Sequence, residues 1–255
     1  MRLKILGCSA GIGGTRRTSA LLLDDDILID AGTGTGDLTL EEMARIDHVF
    51  LTHSHLDHSA FLPLLADASA FMRQRPLEVH ALPETINALR ENMLNGKLWP
   101  DYTIQPSMEK PYIRFHALTC NETIVLEKRR ITPLPAKHSV PAVGYRLDSG
   151  TSSFVYSGDS TLCDAFWEAL NAIDNLRYLM IETTFLNKLT KTAAPASGHM
   201  TANLLAQGLK QLKRPLNILI THMEPGKEGQ TMAEIMTATG SHLPVAVAQG
   251  QIFNL

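Results

Sequence analysis

The chain has 255 residues, 44% hydrophobic and 19% charged, with 23 Lys+Arg against 26 Asp+Glu for a formal net charge of −3. This globular composition excludes a disordered tail protein, a collagen-like repeat and a cysteine-stapled miniprotein, and it argues against a strongly basic nucleic-acid face. Ten His stand beside only three Cys (Cys8, Cys120 and Cys163), which form no CxxC, so neither a disulfide framework nor a thiolate zinc site is expected and a reducing compartment is.

In chain order, residues 2–7, 18–23 and 27–30 are predicted strands, the last two joined by a turn at Asp24, Asp25 and Asp26. The segment GCSAGIGG between the first two is glycine-rich, but it has no GK[ST], lacks the GxGxxG spacing from Gly7 and precedes a strand, so it reads as a plain turn rather than a phosphate loop. Arg16 and Arg17 follow it, two adjacent cations that could contact a phosphate but read as ordinary surface charges. Residues 47–52 form an apolar run that ends in a His cluster, and 56–70 then show helical spacing of Leu, Phe and Ala. Helical patterns recur at 83–94, 164–173 and 201–212, and short buried-strand runs at 154–157, 178–181 and 217–221. The stretch 95–110 is a predicted loop, in which Trp99 and Tyr102 could stack on a nucleobase, although Trp99 reads better as an anchor for the loop. Alternation of this kind implies an α/β fold with sheets covered by helices, and with neither a linker nor a 20–50-residue repeat the whole of 1–255 is expected to be one domain. No apolar run reaches the ~18 residues of a membrane span, and the N-terminal apolar stretch is short for a secretory leader, so a cytoplasmic protein with no membrane partner is expected.

The segment His53-Ser54-His55-Leu56-Asp57-His58 packs three imidazoles and a carboxylate into six residues directly after a strand. In an extended segment alternate side chains share a face, so His53 and His55 address one point; Asp57 and His58, at the first turn of a helix, address a neighbouring one. Neutral imidazole and carboxylate suit Zn²⁺, and also Mn²⁺ or Fe. A lone His is ordinarily a hydrogen-bonded core or surface residue, but four ligand-type side chains buried together without a metal would carry a large desolvation cost. Three more candidates end strand-like runs: His138 closes ITPLPAKH, Asp159 closes FVYSGD and His222 closes NILITH. Side chains at strand ends along one sheet edge can converge on one cleft.

The motif HSHLDH followed by His138, Asp159 and His222 resembles that of the metallo-β-lactamase superfamily, and the resemblance covers nearly the whole chain. It implies a four-layer αββα sandwich with a dinuclear cleft. His53, His55 and His138 would hold the first metal, Asp57, His58 and His222 the second, and Asp159 would bridge them. Two divalent ions, zinc foremost, would activate a bridging hydroxide.

Two further segments bear on the substrate. Glu182 ends the strand of IETTF and His199 precedes a helix in SGHMT; a His held in one tautomer by a carboxylate is a good proton donor, while a strand-end carboxylate and a helix cap are the plain alternative. Both segments resemble the phosphodiesterase branch shared by tRNase Z and the class II cyclic-nucleotide phosphodiesterases, in which Glu182 would support His199 as it protonates the leaving oxygen. The catalytic set is then His199, Glu182 and Asp57. HSHLDHSAF, KHSVPAVGY, SGDS, IETTF, SGHMTA and ITHMEPG together look closer to the class II enzymes, although the final AQGQIF departs from the superfamily's common Asp-Gly.

The expected activity is hydrolysis of a cyclic nucleotide such as cAMP or cGMP, a small phosphodiester. A tRNase Z-like 3′-processing endonuclease and an arylsulfatase-like hydrolase are the enzymatic alternatives, and a metal-stabilised, non-catalytic binding module is the alternative of another class. tRNA is not the expected partner: only twenty residues separate His138 from Asp159, too few for an RNA-gripping arm, and the charge balance is acidic. The glyoxalase II helical domain is not expected either, with 33 residues after His222. A homodimer is implied by the resemblance alone.

Overall fold

The computed structural model describes every residue except Ser241. Six strands come first: β1 (Arg2–Gly7), β2 (Ala20–Leu23), β3 (Ile27–Ile29), β4 (His48–Phe50), β5 (Leu77–Ala81) and β6 (Ile113–Ala117). Then follow β7 (Ile124–Leu126), β8 (Arg129–Pro135), β9 (Val143–Asp148), β10 (Ser153–Tyr156), β11 (Leu176–Glu182), β12 (Asn217–Thr221), β13 (Val245–Ala246) and β14 (Ile252–Asn254). They build two seven-stranded sheets, ordered β14-β1-β2-β3-β4-β5-β6 and β13-β12-β11-β10-β9-β8-β7. The helices are α1 (Leu40–Arg45), α2 (Leu56–Ser59), α3 (Leu62–Ser69), α4 (Pro83–Asn92), α5 (Asp164–Asn171), α6 (Ala193–Ser197), α7 (Ala202–Leu209) and α8 (Glu228–Thr239).

The central strands are apolar on both faces, and the two faces feed different cores. Leu21, Leu23, Ile27, Ile29 and Phe50 point between the sheets, where they meet Tyr145, Leu147, Phe154 and Tyr156 of the second sheet. Their neighbours Leu22, Leu28 and Val49 point outward and pack with Leu62 and Leu65 of α3 and Leu89 of α4. On the far side Val155, Leu179, Ile181 and Ile220 pack beneath Trp167 of α5, Leu205 of α7 and Ile235 of α8. Three apolar layers between four layers of elements make an αββα sandwich, and double-sided burial explains why the strand runs read as continuously hydrophobic rather than alternating. Among the described residues no helix is long and apolar enough to cross a membrane.

Two predicted elements differ. The helical pattern at 56–70 is broken into α2, α3 and a 3-10 turn, because Phe61 donates its N–H to Ala31 and Pro63 has none to donate, so the second helix must start afresh with Pro in its first turn. The strand predicted from Thr18 begins at Ala20: the Thr18 N–H is taken by the Thr33 hydroxyl at 2.8 Å instead of a ladder. The glycine segment after β1 is a turn with Gly13 and Gly14 at positive φ and no helix behind it, and 95–110 is a loop, as read from the sequence. All three cysteines are free thiols.

Candidate metal centre

Each proposed ligand stands just beyond the C-terminal end of a strand or on the turn that follows. β4 ends at Phe50, the chain runs on through Thr52, His53 and His55, and His55 is the residue at which α2 starts; Asp57 and His58 lie in its only turn. His138, Asp159 and His222 follow β8, β10 and β12. His222 takes φ 57°, the left-handed region, which costs a non-glycine residue about 1–3 kcal/mol.

The seven residues fall into two clusters. Ligand-type atoms of His53, His55 and His138 lie within 4.8 Å of one another, and so do those of Asp57, His58, Asp159 and His222. Asp159 stands between them: Oδ2 is 3.8 Å from His53 Nε2 and 3.9 Å from His138 Nε2, whereas Oδ1 is 3.3 Å from His58 Nε2 and 3.5 Å from His222 Nε2. The sequence grouping into two sets with Asp159 between them is thus the grouping seen in space.

Hydrogen bonds on the outer side of the rings fix which nitrogen faces inward. Asp30 is fully buried and accepts from His58 Nδ1 (2.7 Å), from the Thr52 hydroxyl and N–H, and from the Tyr156 hydroxyl. The Thr52 hydroxyl has one proton and gives it to Asp30, so at 3.0 Å it accepts from His53 Nδ1. His138 Nδ1 donates to the Gly198 carbonyl at 3.1 Å. That approach needs Gly198: its φ is 74°, and a Cβ there would sit 2.8 Å from His138 Cα. His53, His58 and His138 therefore all turn Nε2 toward the clusters.

This arrangement fits divalent cations. His53 Nε2 and Asp159 Oδ1 are buried without a hydrogen-bond partner, His138 Nε2 and His55 Nδ1 approach to 3.1 Å, and His58 Nε2 and His222 Nε2 to 3.4 Å, spacings that a shared cation would satisfy. Burial and the neighbouring imidazoles hold His53 well below its ordinary range, so it is neutral and ready to ligate. Burial also disfavours charge on His58, but Asp159 and Asp30 outweigh it and hold that imidazole well above its ordinary range. The protein field thus favours a positive charge at His58, which a bound metal would supply in the proton's stead.

Glu182 and His199 join the same site. Glu182, at the end of β11 and fully buried, accepts from His199 Nδ1 at 2.8 Å, and His199 Nδ1 lies 4.0 Å from Asp159 Oδ2. Burial opposes the imidazolium, but Glu182, then Asp159 and Asp57, outweigh it and raise His199 to about 9. The Thr184 hydroxyl sits 2.8 Å from Glu182 Oε2, 3.0 Å from His222 Nδ1 and 3.3 Å from His199 Nδ1.

The other candidates are occupied elsewhere. Tyr102 is buried in the core under α3 with its hydroxyl on Asp67, and Trp99 packs against the same core, the anchoring role read from the sequence. Arg16 pairs with Glu228 at 2.6 Å and Arg17 with Asp37 at 3.0 Å. A cavity of about 1340 Å³ lies away from the metal-type clusters among Asp24, Asp26, Asp47, Arg73, Arg75 and Arg129, whose charges pair with one another.

Sequence reading missed Asp30, Thr52 and Thr184. Asp30 carries a signal, a lone carboxylate ending the apolar run ILID at φ 58°, but its four donors come from residues 22 to 126 positions away.

The model of the "Beta-lactamase superfamily domain" matches residues 25–223, and the chain belongs to that family. Among curated proteins it is similar to "Ribonuclease BN" of Cronobacter sakazakii, 31% identical over 159 residues that cover 58% of this chain and 49% of that one. It is also similar to the "Probable 3',5'-cyclic-nucleotide phosphodiesterase" of Yersinia pestis, 24% identical over 216 residues, 75% of this chain and 61% of that one. The chain thus spans about half the length of the curated relatives it matches. Among solved structures, unliganded yeast PDE1 shares the fold at a TM-score of 0.79 with 16% identity, over 100% of this chain and 99% of that one.

Proposed function

We propose that the protein is a dinuclear, metal-dependent phosphodiesterase that hydrolyses a 3′,5′-cyclic nucleotide. The observation that carries this reading is the Glu182–His199 pair set against Asp159 beside both clusters. Bound divalent ions, zinc foremost, would supply an activated water and neutralise charge on the phosphoryl oxygens. His53, His55 and His138 would hold one ion, Asp57, His58 and His222 the other, with Asp159 shared. His199 is tied through Nδ1 to Glu182, which leaves Nε2 as the atom that delivers a proton to the departing ribose oxygen. Glu182 keeps the imidazole in that tautomer and supports its charge.

The small substrate is favoured by the tight span between His138 and Asp159. The β9–β10 hairpin uses these residues, and its register with β8 and β11 leaves no segment to form an arm around RNA. The similarity to a cyclic-nucleotide phosphodiesterase extends over 75% of the chain. A second reading, a tRNA 3′-processing endonuclease, has in its favour the higher identity to ribonuclease BN over 58% of the chain. We also propose a cytoplasmic location, in keeping with three free thiols, and homodimerisation on the resemblance alone.

The test is a substrate panel on metal-loaded protein: cyclic AMP, cyclic GMP, bis-p-nitrophenyl phosphate and a 3′-extended pre-tRNA. Turnover of a cyclic nucleotide with release of the monophosphate supports the proposal. Inertness toward the first three overturns it, and cleavage of the pre-tRNA alone moves the assignment to the second reading.

A further inference from the structure

The Thr184 hydroxyl touches three functional groups at once, and its single proton decides the direction of each contact. Glu182 Oε2, at 2.8 Å, can only accept, so the proton goes there. The lone pairs of Thr184 Oγ1 then face His222 Nδ1 at 3.0 Å, which must donate. With its proton on Nδ1, His222 presents Nε2 as a bare lone pair, 3.1 Å from Asp57 Oδ2 and 3.5 Å from Asp159 Oδ1. From these contacts we infer that Thr184 is a positioning residue that couples a ligand of the second metal, His222, to the proton-delivering pair Glu182–His199. The inference rests on the reading of His222 as a ligand.

The other half of the site uses the same device. Thr52 gives its proton to Asp30 and accepts from His53 Nδ1, and Asp30 takes the Nδ1 proton of His58. In each half a buried hydroxyl stands between a buried carboxylate and a ring whose other nitrogen faces a cluster. The halves differ in what the carboxylate also does: Asp30 binds structural donors, whereas Glu182 binds His199. Through Thr184 a hydrogen-bonded path runs from His222 to the carboxylate that holds the proton donor. His199 competes for the same oxygen at 3.3 Å, so occupation of the hydroxyl by His222 keeps His199 directed to Glu182 Oε1.

Thr184→Val removes the hydroxyl while keeping the branched shape. Glu182 retains the N–H groups of Ser160 (3.2 Å), Thr184 (3.1 Å) and Met200 (3.3 Å), so the strand end is held and the variant folds. The affinity for one of two bound zinc ions, measured by chelator competition, should fall by about 10–100-fold while the other is unchanged. Turnover at saturating zinc of a substrate with a poor leaving group, such as cyclic AMP, should fall with KM little moved, and Thr184→Ser should restore both. In the metal-free protein, nitrogen-15 shifts should show His222 as the Nδ1–H form in the wild type and mixed in Thr184→Val.

Two equally tight zinc ions in Thr184→Val, or a serine variant as impaired as the valine one, overturns the role of Thr184. A wild-type chain that binds no second zinc ion overturns instead the site reading on which it rests.

Discussion

Asp30 Oδ2 lies 2.7 Å from His58 Nδ1, across 28 positions of chain and with both side chains fully buried. The contact does two things: it chooses the tautomer of His58, and it places a negative charge behind the ring that a metal would polarise. Asp30 accepts four hydrogen bonds, a load that two carboxylate oxygens can carry. Asparagine has one acceptor oxygen and two N–H groups that would point at other donors. Asp30→Asn should therefore weaken the second ion by about 10–100-fold and destabilise the metal-free chain by about 1–3 kcal/mol. Chelator competition measures the first and denaturant unfolding the second; unchanged values for both would show the contact to be incidental.

Metal removal should be felt in stability as well as activity. Without cations, His53 Nε2 and Asp159 Oδ1 are left unpaired in the interior and the ring nitrogens of His138 and His55 crowd to 3.1 Å. At a free zinc concentration 1,000 times Kd, one ion would add about 4 kcal/mol to the folded state. For a chain of this size each kcal/mol moves Tm by roughly 2–4 °C, so stripping one such ion with a chelator should lower Tm by roughly 8–16 °C. A melting curve indifferent to both chelator and zinc would count against a buried metal centre.

The centre was legible in the sequence for a physical reason. Its ligands end strands, where apolar runs stop and a ligand-type side chain stands alone, and HSHLDH is contiguous because a strand end and a helix start can serve two ions within six residues. The supporting groups were not legible. Thr52 and Thr184 look like any strand-end threonine, since what gives them meaning is a carboxylate, near in sequence for Thr184 and far for Thr52. The break at Phe61 was hidden likewise, because it answers to the Ala31 carbonyl, not to the local apolar period.

A separate histidine group makes stability depend on pH. His80 is buried, stacked on Phe50 at 4.3 Å and on His116 at 4.8 Å, with Nε2 3.1 Å from His48 Nδ1. Burial, with His116 and His48 behind it, lowers its pKa to about 3. In the unfolded chain it would bind a proton near pH 6.5, so below that the unfolded state holds more protons than the folded one and stability falls with pH. The contribution is complete above about pH 6.5 and is lost as pH drops toward 3, at up to about 1.4 kcal/mol per unit. His80→Gln should flatten this acid limb relative to wild type in metal-free unfolding curves taken at pH 7, 6, 5 and 4. Parallel curves would mean that His80 titrates normally.

Packing sets a different limit at α7. A Cβ on Gly208 would come within 2.1 Å of Trp167 Cζ2, and Trp167, on α5, is fully buried against α7. The helix gains from alanine over glycine, by roughly 1 kcal/mol, are outweighed by this overlap. Gly208→Ala should be net destabilising by about 1–3 kcal/mol in denaturant unfolding, with the metal content of the folded fraction intact. Stabilisation would require that α7 move away from Trp167 at no cost.

His199 gives the sharpest separation of roles. Its Nδ1 is committed to Glu182 at 2.8 Å, yet its ligand-type atoms also fall within reach of His138 and Asp159 on one side and of Glu182 and His222 on the other. A proton donor and a metal ligand therefore make opposite forecasts for one substitution. If His199 delivers the proton, His199→Ala should cut turnover by about 10²–10⁴-fold on a substrate with a poor leaving group while two ions per chain remain. On bis-p-nitrophenyl phosphate, whose nitrophenolate departs without a proton, the loss should be much smaller, and this contrast between leaving groups is the signature of an acid. Metal analysis of the purified variant completes the test. A variant that loses an ion, or one equally impaired on both substrates, would place His199 among the ligands or supports and remove it from proton transfer.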